Sequence, residues 1–472
     1  MAEEHELSLS REEMRRIGYR TVDLLVEHFA TLPDKPATRK ASRAEMEERF
    51  REPLPETGMD ALELLDLVER DIFSNIMHLD HPRFFAFVPS PSNYVSAMAD
   101  ALAAGFNVFA GAWLEGSAPA QIELVTIDWL CRACGLPQGA GGLFVSGGSM
   151  ANITALAAAR ELHPHGHLDL ATIYFSDQTH SSIERGLRVL GFEDHQLRRI
   201  PSDDGFRLEM TALAATLDAD RQAGRHPFCV VANAGTTNTG AIDPLIPLAD
   251  LCRQEGLWLH VDGAYGAAAV LCQRGQGLLQ GLELADSLSL DPHKWLFQPY
   301  EIGCVLLRKG EQLHSVFQVM PEYLADAAAA AGEVNFFDRG IQLTRGFRAL
   351  KLWMSLKTFG AKAFGAALEW GFHLAEVAEE SVRALPEWEV VTPAQMGVVT
   401  FRYAPFGYGE DRCALLNRRL VADLVQDGFA MVTSTELRGR TVLRMCPINP
   451  RTSEDDIRKT IALLAQLAAR AS

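Results

Sequence analysis

The chain has 472 residues, of which 48% are hydrophobic and 22% charged, and its formal net charge is −17. This is an ordinary globular balance with apolar material for two or three domains. The acidity, with no clustered basic run, argues against a nucleic-acid partner, and no apolar run reaches the length of a membrane span.

The N-terminus, MAEEHELSLS, is acidic and lacks an apolar signal core. Eight cysteines are scattered, mostly inside apolar runs such as Phe228-Cys229-Val230. Buried free thiols in a cytoplasmic protein are therefore expected. Cys131 and Cys134 form a CxxC, but its flanks read as helix and no second Cys/His pair stands near. Packing is favoured there over a redox or metal role, and no metal site is expected.

Ser10-Arg11-Glu12-Glu13 and Ser42–Glu45 have the form of capping boxes, each opening a helix. A third helical run covers Ala61 to Ile76, and Pro33, Pro36, Pro53 and Pro55 punctuate the segment. Residues 1–80 thus read as a helical segment too thin to bury its own apolar faces. It is expected to pack on the main body or on a second subunit. From about residue 84, GLFVS, ATIYFS, FCVVAN, LWLHV, DSLSL and IGCVLL alternate with helical stretches. That spacing predicts βα units and a mostly parallel sheet, an α/β domain over 81–360. Residues 361–472 read as a smaller α+β domain: an amphipathic helix, strands near Trp388–Val391, Val398–Tyr403 and Thr441–Met445, and a last helix from Ser453. The low-complexity stretch is ADAAAAAGEV, 325–334.

Ligands of open α/β sheets sit at the carboxyl ends of strands. Asp177-Gln178-Thr179-His180 follows ATIYFS, and Ala234-Gly235-Thr236-Thr237 follows FCVVAN. Asp262 follows LWLHV, and Asp291, His293 and Lys294 follow DSLSL. Any one of these has an ordinary reading, as a turn, a helix cap or a core histidine; four together are harder to dismiss. Ser146-Gly147-Gly148-Ser149 adds a glycine-bearing strand-to-helix turn. Taken alone it is a plain connection or an anion cradle at a helix N-terminus. In SLSLDPHKWLFQP, Lys294 stands between an apolar strand and an aromatic plug, a costly place for a solvated charge. A phosphate cradle, a lysine amine, a carboxylate at a strand end and a flat imidazole together are what pyridoxal phosphate needs.

The chain resembles the pyridoxal-phosphate-dependent group II amino-acid decarboxylases, the aromatic-L-amino-acid decarboxylases above all. The resemblance runs through HPRFFAFVPSPSNY, PAQIELVTIDWL, SDQTHSSIERG, AGTTNTGAIDPL, WLHVDGAYG, DPHKWLFQP and RGFRALKLW, in that order. It implies a fold-type-I, aminotransferase-like fold and a homodimer with sites at the subunit boundary. It implies Lys294 as the Schiff-base lysine, Asp262 as partner of the pyridinium nitrogen and His180 as the imidazole on the ring. Gly148, Ser149 and His293 would surround the phosphate, with Thr237 and Ala264 also against the cofactor. Phe87 and Pro89 would wall the substrate side chain.

Three departures stand out. Asp291 occupies a position that is commonly Asn in the animal enzymes; beside a phosphate it is expected to bond backbone and stay outside the site. SGGS is poorer in serine than the related loops, which shifts bonding toward backbone N–H groups. Counting back from RGFRALKLW without gaps puts Phe336 where a loop tyrosine would donate a proton, and Tyr323 lies well upstream. The expected activity is decarboxylation of an L-amino acid, aromatic by preference, to amine and CO2. The alternative on the same scaffold is an aldehyde-forming synthase; an aminotransferase or a non-catalytic binder ranks below both.

Overall fold

The computed structural model describes residues 7–162, 168–319, 330 and 332–471. Tyr323 and most of the alanine-rich stretch lie outside these residues.

Seven strands form the main sheet: β1 (Gly141–Val145), β2 (Ala171–Ser176), β3 (Leu197–Ile200), β4 (His226–Asn233), β5 (Trp258–Asp262), β6 (Ser287–Leu290) and β7 (Gly303–Leu307). Their order is β1-β7-β6-β5-β4-β2-β3. β3, β2, β4, β5 and β6 run parallel, and β7 is antiparallel to both β6 and β1. Every residue of β2, β6 and β7 is buried, because helices cover both faces of such a sheet and remove the polar-out alternation. β3 went unread in the sequence because it is an edge strand carrying Arg198 and Arg199.

The smaller sheet is antiparallel: β8 (Trp388–Gln395), β9 (Val398–Tyr403), β10 (Thr433–Leu437) and β11 (Arg440–Met445), ordered β10-β11-β9-β8. Its core joins Val399, Phe401 and Leu443 to Leu374 of the helix Ala361–Arg383 and Ile461 of the last helix. The junction between the two sheets falls beneath Lys294. Trp295 is fully buried, its ring stacked nearly parallel to Tyr265 at 5.1 Å and 5.2 Å from Phe372 of the long helix. The aromatic run after the lysine is thus a plug packed against the long helix between the two sheets. Arg345 of the RGFR motif is structural: 1% exposed, it pairs with the fully buried Glu123 at 2.6 Å and donates to the Phe144 carbonyl at 2.7 Å.

Both expected capping boxes form, Ser10 with Glu13 and Ser42 with Glu45. The third helical run is α-helical over Ala61–Leu67, then changes pitch through Val68–Ile72 and Phe73–Asn75. No residue of the helices Arg11–Thr31, Arg43–Phe50 or Ala61–Leu67 is buried. Met14, Tyr19, Val22 and Val26 of the first are all exposed. Cys131 and Cys134 pack in the main core; burial pushes the Cys131 thiol up to about 12 and raises Cys134 as well, so neither is a reactive thiolate. Among the described residues no helix is long and apolar enough to cross a membrane.

Candidate active site

A cavity of about 330 Å³ opens at the carboxyl ends of β4, β5 and β6, against the start of the helix Gly148–Leu162. Gly148, Ser149, His180, Thr237, Asp262, Ala264, His293 and Lys294 all line it. The parallel strand direction delivers these groups, from five separate stretches of chain, to one end of the sheet.

Asp262 ends β5, is 8% exposed, and is held from three sides. Its Oδ1 accepts from Ser289 Oγ at 3.0 Å and from the Ala264 N–H at 3.1 Å; its Oδ2 accepts from Asn152 Nδ2 at 3.1 Å. Asn152 is fixed in turn by fully buried His260, whose Nε2 lies 3.0 Å from the Asn152 Oδ1. Burial drops the His260 pKa to about 4, so the ring is neutral and donates there. Sequence reasoning missed Asn152, Ser289 and His260. The signal was present but faint: Asn152 is polar in an Ala-rich buried helix face, and Ser289 and His260 are polar in buried strands.

His180 caps the helix Ser181–Val189: its Nδ1 accepts the Ser182 N–H at 3.2 Å and lies 2.9 Å from Ser182 Oγ. An acceptor at Nδ1 places the ring proton on Nε2. Desolvation lowers the His180 pKa, against an opposing pull from Asp262.

Lys294 Nζ lies 3.0 Å from Asp291 Oδ2. Burial works against the charge on Lys294, but Asp291 and then Asp262 outweigh it and raise the amine's pKa. Asp291 therefore departs from expectation. Its side chain is 2% exposed, lines the cavity and pairs with the lysine rather than with backbone. The spacing that allows this is i to i+3 across one turn, which brings the two side chains together when the segment Asp291–Lys294 coils.

Three expected pocket residues lie elsewhere in the chain. Phe336 needs correction: it is fully buried among Leu143, Val145 and Leu313, with the Arg345 guanidinium 5.0 Å from its ring. A side chain enclosed by its own core cannot face a substrate pocket, so the gapless count does not place Phe336 at a proton-donor slot. Pro89 is buried and Phe87 is 60% exposed, and neither lines the cavity of the single chain. Phe87 has a left-handed backbone (φ 49°) and its carbonyl accepts from Arg444 of β11. The same guanidinium donates to the Thr237 carbonyl at 2.6 Å. Arg444 was not foreseen, since it reaches the site from a strand over 200 residues away in sequence. Away from the cavity, His28, His78 and Asp80 bring potential metal ligands within 4.8 Å of one another; His28 and Asp80 already pair at 3.0 Å.

The pyridoxal-dependent decarboxylase conserved domain matches residues 44–404. The chain belongs to the pyridoxal-dependent decarboxylase family. It is 49% identical over 468 residues to an aromatic-L-amino-acid decarboxylase of Bacillus atrophaeus, covering 99% of this chain and 98% of that one. It is 30% identical to a phenylacetaldehyde synthase of Petunia hybrida, over 94% of this chain and 92% of that one. The structure superposes on the crystal structure of Catharanthus roseus tryptophan decarboxylase with L-tryptophan at a TM-score of 0.92 and 27% identity, covering 99% of this chain and 100% of that one.

The protein is thus a pyridoxal-phosphate-dependent amino-acid decarboxylase of fold type I. The cavity of this decarboxylase suits the cofactor. A Cβ at Gly148 would come within 2.7 Å of Asp291 and 2.9 Å of Ala264, and one at Gly147 within 3.3 Å of His293. Only glycine leaves the helix start open to an anion there.

Proposed function

We propose that this decarboxylase acts on an aromatic L-amino acid and releases the amine and CO2. The observation that carries the reading is the convergence of Lys294, Asp262 and His180 on one cavity beside a glycine-bearing helix start. The 49% identity to an aromatic-L-amino-acid decarboxylase supports the substrate class.

The bound cofactor supplies an electron-accepting ring for the pair left when the Cα–carboxylate bond breaks. Lys294 is the amine that anchors it. Asp262, clamped by Ser289, Ala264 and Asn152, holds a proton on the ring nitrogen. Gly148, Ser149 and His293 would hold the phosphate. His180, with its proton on Nε2, would face the ring without adding a second positive charge. Arg444 ties the Thr237 loop to the Phe87 turn; it orients the residues that meet the substrate. We also infer a homodimer. His180 is exposed in the single chain, Phe87 is open, and the first helix leaves an uncovered apolar face, surfaces of the kind a partner subunit covers.

A panel of L-amino acids, with CO2, amine, aldehyde and peroxide all quantified in air, tests the activity. Amine equal to CO2 for the aromatic substrates is expected. Peroxide and ammonia equal to CO2 would replace the reading with the synthase. Sedimentation should give the mass of two chains; full activity of a monomer would refute the dimer.

A further inference from the structure

Asp291 is wedged at the floor of the phosphate cradle. A Cβ on Gly148 would meet its Oδ2 at 2.7 Å, and one on Gly303 its Oδ1 at 2.8 Å. Oδ1 is buried and has no hydrogen-bond partner among the described residues. Its Oδ2 holds Lys294 Nζ at 3.0 Å, and His293 Nε2 is 3.6 Å away. A phosphate received at the N-terminus of the helix Gly148–Leu162 would be a second anion within a few ångströms of this carboxylate.

We propose that Asp291 is a positioning residue that holds the Lys294 amine at the cradle, and that its negative charge sets a ceiling on cofactor affinity. The proposal rests on the reading that Lys294 and the Gly148 cradle receive the cofactor. The charged and titratable groups that face the pair are His293 beside it, Asp262 at the end of β5, His180 after β2, Tyr300 and Glu301 beyond the plug, and Cys304 of β7. Burial lowers both histidines, so Lys294 is the positive partner of Asp291. For Lys294 to take the cofactor, its ammonium first gives one proton to solvent. The Nζ lone pair then bonds the aldehyde carbon, and the aldehyde oxygen leaves as water with the two remaining amine protons. Asp291 opposes the first of these events by stabilising the ammonium, and it opposes the phosphate by repulsion.

The test uses the full chain, stripped of cofactor and reloaded across a pH series, with the visible absorbance of the lysine-linked cofactor as readout. Inorganic phosphate serves as a competing probe. In Asp291→Asn the midpoint of reloading should move about one pH unit or more to lower pH. With cofactor kept well below its own dissociation constant, where its own tighter binding does not offset the competition, inorganic phosphate should block reloading at roughly tenfold lower concentration. Asp291→Ser, smaller and also neutral, should shift both the same way, with circular dichroism confirming the fold. An unchanged midpoint in either folded variant overturns the proposal. So does weaker inhibition by phosphate, which would mean that the carboxylate assists the anion. If wild type itself forms no lysine-linked absorbance, the cofactor reading falls and takes the proposal with it.

Discussion

Replacing Asp262 by Asn changes one atom and removes one charge. The native carboxylate accepts three hydrogen bonds, two at Oδ1 and one at Oδ2. The Asn side chain can keep its carbonyl toward Ser289 and Ala264, which turns its NH2 onto the Asn152 NH2. An unpaired buried donor costs about 1–3 kcal/mol. A flip of Asn152 would relieve it, but would turn an NH2 toward His260 Nε2 and force the other histidine tautomer. The stability loss should therefore sit near the lower end of that range. The catalytic loss is larger. A buried carboxylate that would face the ring nitrogen is preorganised electrostatics, and one such group contributes about 3–4 kcal/mol, or roughly 10²–10³ in kcat. Asp262→Asn should therefore melt within a few degrees of wild type yet turn over 10²–10³-fold more slowly at saturating cofactor and substrate. Turnover within about threefold of wild type would remove Asp262 from the mechanism.

Lys294→Ala should lose the visible absorbance, and borohydride reduction of wild type should fix the cofactor mass on the peptide that contains Lys294; label elsewhere would refute the assignment. Because partial desolvation in the cavity, with Lys294 nearby, lowers the His180 pKa below the ordinary histidine value, activity should persist as pH falls through the usual histidine range. It should decline only below that range, as the ring charges, and His180→Gln should erase this acid limb from the kcat/KM profile. Phe336→Tyr sets a hydroxyl into a fully buried apolar cluster. It should lower stability by about 1–3 kcal/mol and leave the ratio of amine to aldehyde unchanged; a changed ratio would return Phe336 to the site.

What the sequence by itself determined were features written in neighbouring residues. The capping boxes at Ser10 and Ser42 need only four consecutive positions, and both form as read. The six apolar runs became β1, β2, β4, β5, β6 and β7 because burial on both faces demands continuous hydrophobic residues. The groups after those strands were legible as a site because a parallel sheet collects its strand ends at one edge. Tertiary structure alone decided the rest. The edge strands β3 and β10 had no apolar run to announce them. Arg444 reaches Thr237, and Asn152 reaches Asp262, across more than a hundred residues, through the docking of whole elements. Phe336 turned inward, where a gapless count had turned it toward the substrate. Asp291 was judged from the charge it would face rather than from the lysine one turn away. A side chain's partner depends on where the backbone carries it, and for these residues the packing of distant elements, not the local pattern, sets that path.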